Sequence, residues 1–323
     1  YLYLLIPICF EVIKNYSLSK KIKKEFAEID FNTKDKLMKL ERKKLIKNIY
    51  ALSMTKISSI IYSSSDNIVI SAFISTTLVG YYSNYTLIIG VVTMCTNIMF
   101  NSLKSGIGDL NVMVSMEHKK KVFNRILFAN RWIYYFFSIC LFELLDMFIS
   151  LWINIDYTLN KSTVFVIVLA FLIPGLNYTI SIFKDACGLF WQTRYRTLMT
   201  AIVNIILSIL LVQFLGITGV FIGTILAYLL TIYTIDPIIL FNEVFESSPI
   251  SYYKELLKSV IGYALVFIIT HILCSYFQNI TLLNLLVRFF ICCLVINFLF
   301  SIINWKNNDF IYYKNKFFKH GHL

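Results

Sequence analysis

The chain has 323 residues, 58% of them hydrophobic and only 15% charged, with a formal net charge of +12. A soluble domain carries about 25% charged residues, so a globule surrounded by water is excluded and lipid is the main solvent. In a soluble protein the excess of Lys and Arg would suggest nucleic acid. Here these residues lie in short segments between apolar runs, where they set topology, and no nucleic-acid partner is expected.

Several apolar runs reach the ~18–20 residues that a helix needs to cross a bilayer. They are continuous and lack the alternation of barrel strands. The expected fold class is all-α: a polytopic membrane protein with about eight complete transmembrane helices plus one partial helix.

In chain order, residues 1–14 read as the end of a transmembrane helix of a first lobe. Residues 15–48 are a Lys-dense cytoplasmic linker, too polar to span and partly helical. Spans follow at 49–75, 82–103, 127–153, 162–184, 197–215, 218–240, 257–277 and 282–303. The first six, within 49–240, make a second lobe; 241–303 adds two more helices after a break containing Pro237 and Pro249, and 304–323 is a basic tail. The chain opens at Tyr1 inside an apolar stretch with no signal-peptide pattern, so an earlier portion is expected.

Placing 15–48 in the cytoplasm puts loops 104–126, 185–196, 241–256 and the tail there too. These carry Lys104, Lys119, Lys120, Lys121, Arg125, Arg194, Arg196, Lys254, Lys306, Lys314, Lys316 and Lys319, whereas the opposite loops carry only Lys161. The positive-inside rule therefore assigns a cytoplasmic C-terminus. The outer loops are too short to hold a catalytic domain. No nucleotide loop, HExxH, GxSxG or DxD pattern occurs, so no enzyme and no cofactor are expected. The seven cysteines form no CxxC pair and read as small buried hydrophobes; His118, His271, His320 and His322 lack ligand-like spacing. His271, the one intramembrane candidate for acyl-transfer chemistry, has only Thr270 and Ser275 as polar sequence neighbours.

Charged residues inside membrane helices cost at least ~2.5–3.5 kcal/mol each near the centre, which makes them functional candidates. Lys56, Ser59, Ser63, Asp66 and Asn67 share one face of span 49–75. Span 127–153 carries Arg131 toward its cytoplasmic end, then Glu143, Asp146 and Ser150 on one outer face. Lys56, Arg131 and Arg288 are long enough to snorkel to an interface, and Asp146 to reach outside water. Asp66 and Glu143 lie ~4–6 Å outward of their span centres at 1.5 Å per residue, so a shared cavity facing the first lobe is expected for both. Gly216, Gly219 and Gly223 have small-xxx-small spacing, and close helix packing is expected there.

Three stretches carry a family resemblance. SSSDNIVISAFISTTLVGYYSNYTLI (63–88) resembles the seventh and eighth helices of Wzx-type polysaccharide flippases. NSLKSGIGDLNV (101–112) resembles the start of their next cytoplasmic loop, and GLFWQTRYRTLMTAIVNIILSILLVQFLGITGVFIGT (188–224) their tenth-to-twelfth-helix region. The family belongs to the multidrug/oligosaccharidyl-lipid/polysaccharide exporter superfamily, with twelve to fourteen spans in two lobes. The resemblance implies a bacterial inner-membrane protein that moves an undecaprenyl-diphosphate-linked oligosaccharide to the outer leaflet by alternating access. Its partners would be membrane lipid, a polysaccharide polymerase and glycosyltransferases. In that frame Lys56, Arg131, Lys184 and Arg194 are candidates for diphosphate or sugar contact. Asp66, Asn67, Glu143 and Asp146 are candidates for the cavity or for a coupling Na⁺ or H⁺. The roles of Lys56 and of span 127–153 rest on position alone. Alternatives are a cation-coupled drug exporter, a peptidoglycan-precursor flippase, a membrane enzyme or a scaffold.

Overall fold

The computed structural model describes residues 2–26, 38–113 and 115–320. The chain divides into two compact units, Tyr1–Ile46 and Lys47–Leu323. In hydrocarbon every backbone N–H and C=O must find its partner within the protein, which favours helix wherever the apolar runs continue. Every regular element among the described residues is helical: α1 (Leu2–Glu25), α2 (Lys39–Phe73), α3 (Thr76–Asn101), α4 (Lys104–Met113), α5 (Met116–Trp152), α6 (Lys161–Leu176), α7 (Tyr178–Ala186), α8 (Arg196–Glu243), α9 (Ile250–Cys274), α10 (Leu282–Ile291), α11 (Asn297–Ile303) and α12 (Asn308–His320), with a 3-10 turn at Ile155–Tyr157 and a π turn at Cys292–Ile296.

Among the described residues six helical stretches are long and apolar enough to cross a membrane: Thr76–Asp109, Met116–Trp152, Lys161–Ala186, Arg196–Glu243, Ile250–Cys274 and Leu282–Ile303. The protein is thus an all-α polytopic membrane protein. Helix α2 covers residues 49–73 of the expected span 49–75 but falls outside this apolar set. Its serines, with Asp66 and Asn67, dilute the run. Helix α1 continues beyond residue 14 as far as Glu25, and the tail holds the helix α12.

Helix α5 is the axis of the second unit. It is buried over 61% of its most apolar stretch, against 11% for Ile250–Cys274. Phe123 near its start packs with Phe183 of α7 and with Phe241 and Phe245, at ring distances of 5.1, 5.8 and 5.1 Å. Higher up, Tyr134 lies against Gly175 of α6 so closely that a Cβ on Gly175 would enter its ring.

The expected span 162–184 is broken. Pro174 lies inside α6, and α7 restarts after Asn177. The Asn177 N–H bonds to Pro174 O (3.2 Å) instead of continuing the helical ladder. Neighbouring helices satisfy the carbonyls at the break. Asn130 of α5 donates Nδ2 to Gly175 O (3.0 Å) and Leu176 O (3.2 Å), and Tyr233 of α8 donates its hydroxyl to Ile173 O (3.1 Å). This is how a transmembrane helix tolerates a break.

Helix α8 has 48 residues, ~72 Å at 1.5 Å per residue and twice a ~30 Å hydrocarbon core. It is a hairpin: Gly216 adopts φ 57°, ψ −140°, a conformation reserved for glycine, and separates 196–215 from 217–243. Antiparallel pairing is visible in a ladder of polar contacts. Ser208 donates to Val220 O (3.1 Å), Asn204 Nδ2 donates to Thr224 Oγ1 (2.7 Å), Thr200 and Thr231 share a hydrogen bond of 2.7 Å, and Arg196 pairs with Asp236 at the far end. Gly219 and Gly223 allow the approach: a Cβ on Gly223 would stand 2.7 Å from Ser208 N. The packing role expected for these two glycines holds, and Gly216 adds the turn itself.

Two predictions follow from this hairpin. Gly223→Ala forces backbone against backbone and is expected to destabilise the fold by ~1–3 kcal/mol, read as a lowered unfolding temperature in detergent; an unchanged temperature would contradict the close approach. Asp236→Ala leaves Arg196 buried without its acid and is expected to cost about 3–5 kcal/mol. Replacing both residues with leucine should recover most of that loss.

Candidate functional site

A cavity of about 460 Å³ opens within the second unit, lined by α2, α3, α5, α6, α7 and α8. Helix α2 contributes Tyr62, Ser63 and Asp66; α3 contributes Tyr82, Thr86, Thr93 and Asn97. Tyr134, Tyr178, Ser181, Thr224 and Tyr228 complete the polar lining, over an apolar floor that includes Phe171 and Phe221. Each polar residue is placed by helical repeat. Thr86, Thr93 and Asn97 follow one another on a single face of α3, as Tyr62, Ser63 and Asp66 do on α2.

Asp66 is the one carboxylate in this lining. Its Oδ1 accepts from Thr224 Oγ1 (2.8 Å), which in turn accepts from Asn204. Ser65 donates to Asn204 Oδ1 (2.5 Å). The polar ladder of the α8 hairpin is therefore tied to α2 at its Asn204–Thr224 rung, which meets a carboxylate in the cavity. The lining is otherwise hydroxyl, phenol and amide. Such groups both donate and accept and match the hydroxyls of a sugar.

A turn beyond Ser181, α7 presents Lys184, only 4% exposed. Its Nζ lies 3.6 Å from Asp185 Oδ1 and 3.4 Å from Thr193 Oγ1, and Lys104 reaches the other Asp185 oxygen at 3.0 Å. Arg196 and Lys104 both act electrostatically on Lys184. Lys104, Lys184 and Arg196 thus gather with two acids, Asp185 and Asp236, beyond the cavity residue Ser181.

The other sequence candidates lie elsewhere. Lys56 and Asn67 are exposed on α2 and do not line the cavity. Arg194 stacks over Trp191 (3.8 Å) and Tyr195 (4.6 Å) and donates to Trp191 O (2.6 Å), outside the cavity lining. Arg131 is 8% exposed and faces α9 and α11 rather than the cavity; it is buried, not snorkelling.

Glu143 and Asp146, candidates for a cavity shared with Asp66 or for a coupling ion, do not line the cavity around Asp66. Glu143 is 2% exposed and bonds through Oε1 to His271 Nδ1 of α9 (2.8 Å). His271 thus has an acidic partner 128 positions away that its sequence neighbours conceal. Arg288, read as snorkelling, is instead 8% exposed; it donates to Glu143 O (3.1 Å) and Phe277 O (2.8 Å). Asp146 accepts from Tyr85 Oη (2.7 Å) and faces Lys161 Nζ at 3.7 Å. This second polar cluster fastens α9 and α10 to α5. The face of α5 that carries these acids was legible in the sequence; which neighbour it meets was not.

Sequence reasoning missed the tyrosines, the α3 polar face and the pair Arg196–Asp236. The offsets of Thr86, Thr93 and Asn97 carried a signal for the α3 face. Asp236 lay in a span without being singled out.

No protein-family profile matches the sequence, and no curated protein matches it. Among solved structures the chain is similar to the lipid II flippase MurJ in an inward closed conformation, with a TM-score of 0.55 and 19% identity. The match covers 78% of this chain and 52% of that one, so the chain spans about half the length of that structure. At this identity the likeness is one of fold: the helices of this chain follow the path of part of a flippase.

Proposed function

We propose that this chain is the second-lobe part of a transporter that carries the headgroup of an undecaprenyl-diphosphate-linked oligosaccharide from the cytoplasmic to the outer leaflet by alternating access. The observation that carries this reading is the cavity around Asp66. It is a hydroxyl-rich, tyrosine-lined space inside a helical lobe, with cations beyond one end. A diphosphate with several sugars cannot cross hydrocarbon unpaired. A polar cavity replaces its hydration while the prenyl chain stays in lipid. No bond is made or broken, and the protein is not an enzyme.

In this reading residues 1–14 end a first lobe, 15–48 link the lobes, 49–240 are the second lobe, 241–303 add two helices, and 304–323 form a cytoplasmic tail. Lys184 holds the diphosphate near the cytoplasmic mouth, with Lys56 and Arg194 guiding it there. The cavity tyrosines, Thr93 and Asn97 hold sugar hydroxyls. Asp66 takes the coupling Na⁺ or H⁺. Glycosyltransferases supply the substrate and a polymerase consumes it. A second reading, a peptidoglycan-precursor substrate, is favoured by the fold match to MurJ. Both substrates present the same prenyl diphosphate.

The test is to delete the gene in the source bacterium and locate lipid-linked oligosaccharides with a lectin that cannot cross the membrane. Units trapped in the inner leaflet, and released when the gene is restored, support the proposal. Restoration with Asp66→Asn should lower the outward rate by about tenfold, ~1.4 kcal/mol of barrier, with protein levels unchanged. Normal export of surface polysaccharide units combined with trapped peptidoglycan precursor would shift the substrate. Normal export of both would overturn the flippase reading.

A further inference from the structure

A separate pocket of about 280 Å³ lies between α5, α9 and the chain from the π turn to Asn307. It shares no element with the Asp66 cavity except α5, and the proposed transport assigns it nothing. Arg131 lines it. This guanidinium is 8% exposed, and among the described residues its Nε and Nη2 have no hydrogen-bond partner. Its aromatic neighbour Tyr252 lies 5.7 Å away and offers a ring face, not an acceptor in bonding range. A buried guanidinium without an anion is costly, so the site is chemically incomplete.

The lining is graded along the helices. At one end stand Arg131, Lys258, Lys306 and Asn307, with Glu255 as the one acid. At the other stand Ile139, Val266 and Ile296. From Glu255 to Val266 on α9 the pocket runs ~16 Å at 1.5 Å per residue, and Phe128 to Ile139 on α5 covers the same length. The polar end coincides with the starts of α5 and α9 and the end of α11, the end of the bundle where the basic segments gather. In between, Gly262 leaves room beside Ile303, whose Cγ2 is 3.6 Å from where a Cβ would stand.

We infer that this pocket binds the phosphate headgroup of an anionic phospholipid, with one acyl chain in the apolar slot below it. Arg131 supplies the buried fork that phosphate oxygens match in charge-assisted pairs. Lys258 and Lys306, both exposed, bring the headgroup in. The net charge of the polar end, three cations against Glu255, selects an anion. The apolar slot selects a lipid over free phosphate.

The test is native mass spectrometry of the purified full chain titrated with phosphatidylglycerol or phosphatidylcholine. One phosphatidylglycerol should be retained at least about tenfold more tightly than phosphatidylcholine, a difference of ~1.4 kcal/mol. Arg131→Gln should remove that preference. Because Arg131 is buried and its replacement can disturb folding, the exposed pair Lys258→Gln and Lys306→Gln is the second variant, expected to weaken retention in a folded chain. Gly262→Leu fills the slot and should also abolish retention. Millimolar inorganic phosphate should not displace the lipid. Displacement by inorganic phosphate, or insensitivity to Gly262→Leu, would overturn the lipid in favour of free phosphate. Equal retention of both lipids, or no effect of the lysine pair, would overturn the site.

Discussion

The absence of water in the bilayer core governs this structure. Every polar group placed there must be answered by another protein group, and the fold consists largely of such answers. Asn130 and Tyr233 close the carbonyls opened at the α6–α7 break. Thr200, Asn204, Ser208, Thr224 and Thr231 join the two arms of the α8 hairpin. The same constraint explains why irregular backbone is found where neighbouring helices pack and a cavity opens. The break after Pro174 is tolerated because side chains from elsewhere complete it.

The charged groups fall into distinct clusters with different work to do. Asp66 joins the Asn204–Thr224 rung of the hairpin ladder inside the cavity. Lys104, Lys184, Asp185, Arg196 and Asp236 gather near one end of it. Glu143, His271 and Arg288 attach α9 and α10 to α5, and Arg131 faces a pocket of its own. A cavity of hydroxyls with one carboxylate and flanking cations is matched to a sugar-bearing diphosphate more closely than to a drug cation, which would call for more acid and less base. That match is the basis of the proposed transport.

The helical class and most span positions were legible because lipid demands long apolar runs, and such runs survive in a single sequence. Asp66 was legible because a carboxylate that deep in a span has no cheap alternative to a polar neighbour. The partners of Arg131, Glu143 and Arg288 were not legible, because depth in a span does not say which neighbour a face such as that of Glu143 on α5 will meet. Helices α9 and α10 cover that face, and their partnership with Glu143 joins residues 128 and 145 positions apart. The cavity tyrosines were hidden for the opposite reason: tyrosine is common at membrane interfaces, so its presence in a span draws little notice. The hairpin turn was legible as the gap between spans 197–215 and 218–240, and Gly216, with its φ of 57°, lies in that gap.

The most direct measurement is water access to the cavity and its loss when substrate is present. Asn97→Cys places a thiol in the cavity lining, and Val91→Cys places one on an exposed apolar part of the same helix. Only a hydrated thiol ionises and reacts with a membrane-impermeant reagent. Asn97→Cys is expected to react above the background of the unsubstituted chain, Val91→Cys is not, and added prenyl-diphosphate oligosaccharide is expected to protect Asn97→Cys. An unreactive Asn97→Cys, or one that substrate leaves unprotected, would contradict the cavity as the route of the headgroup.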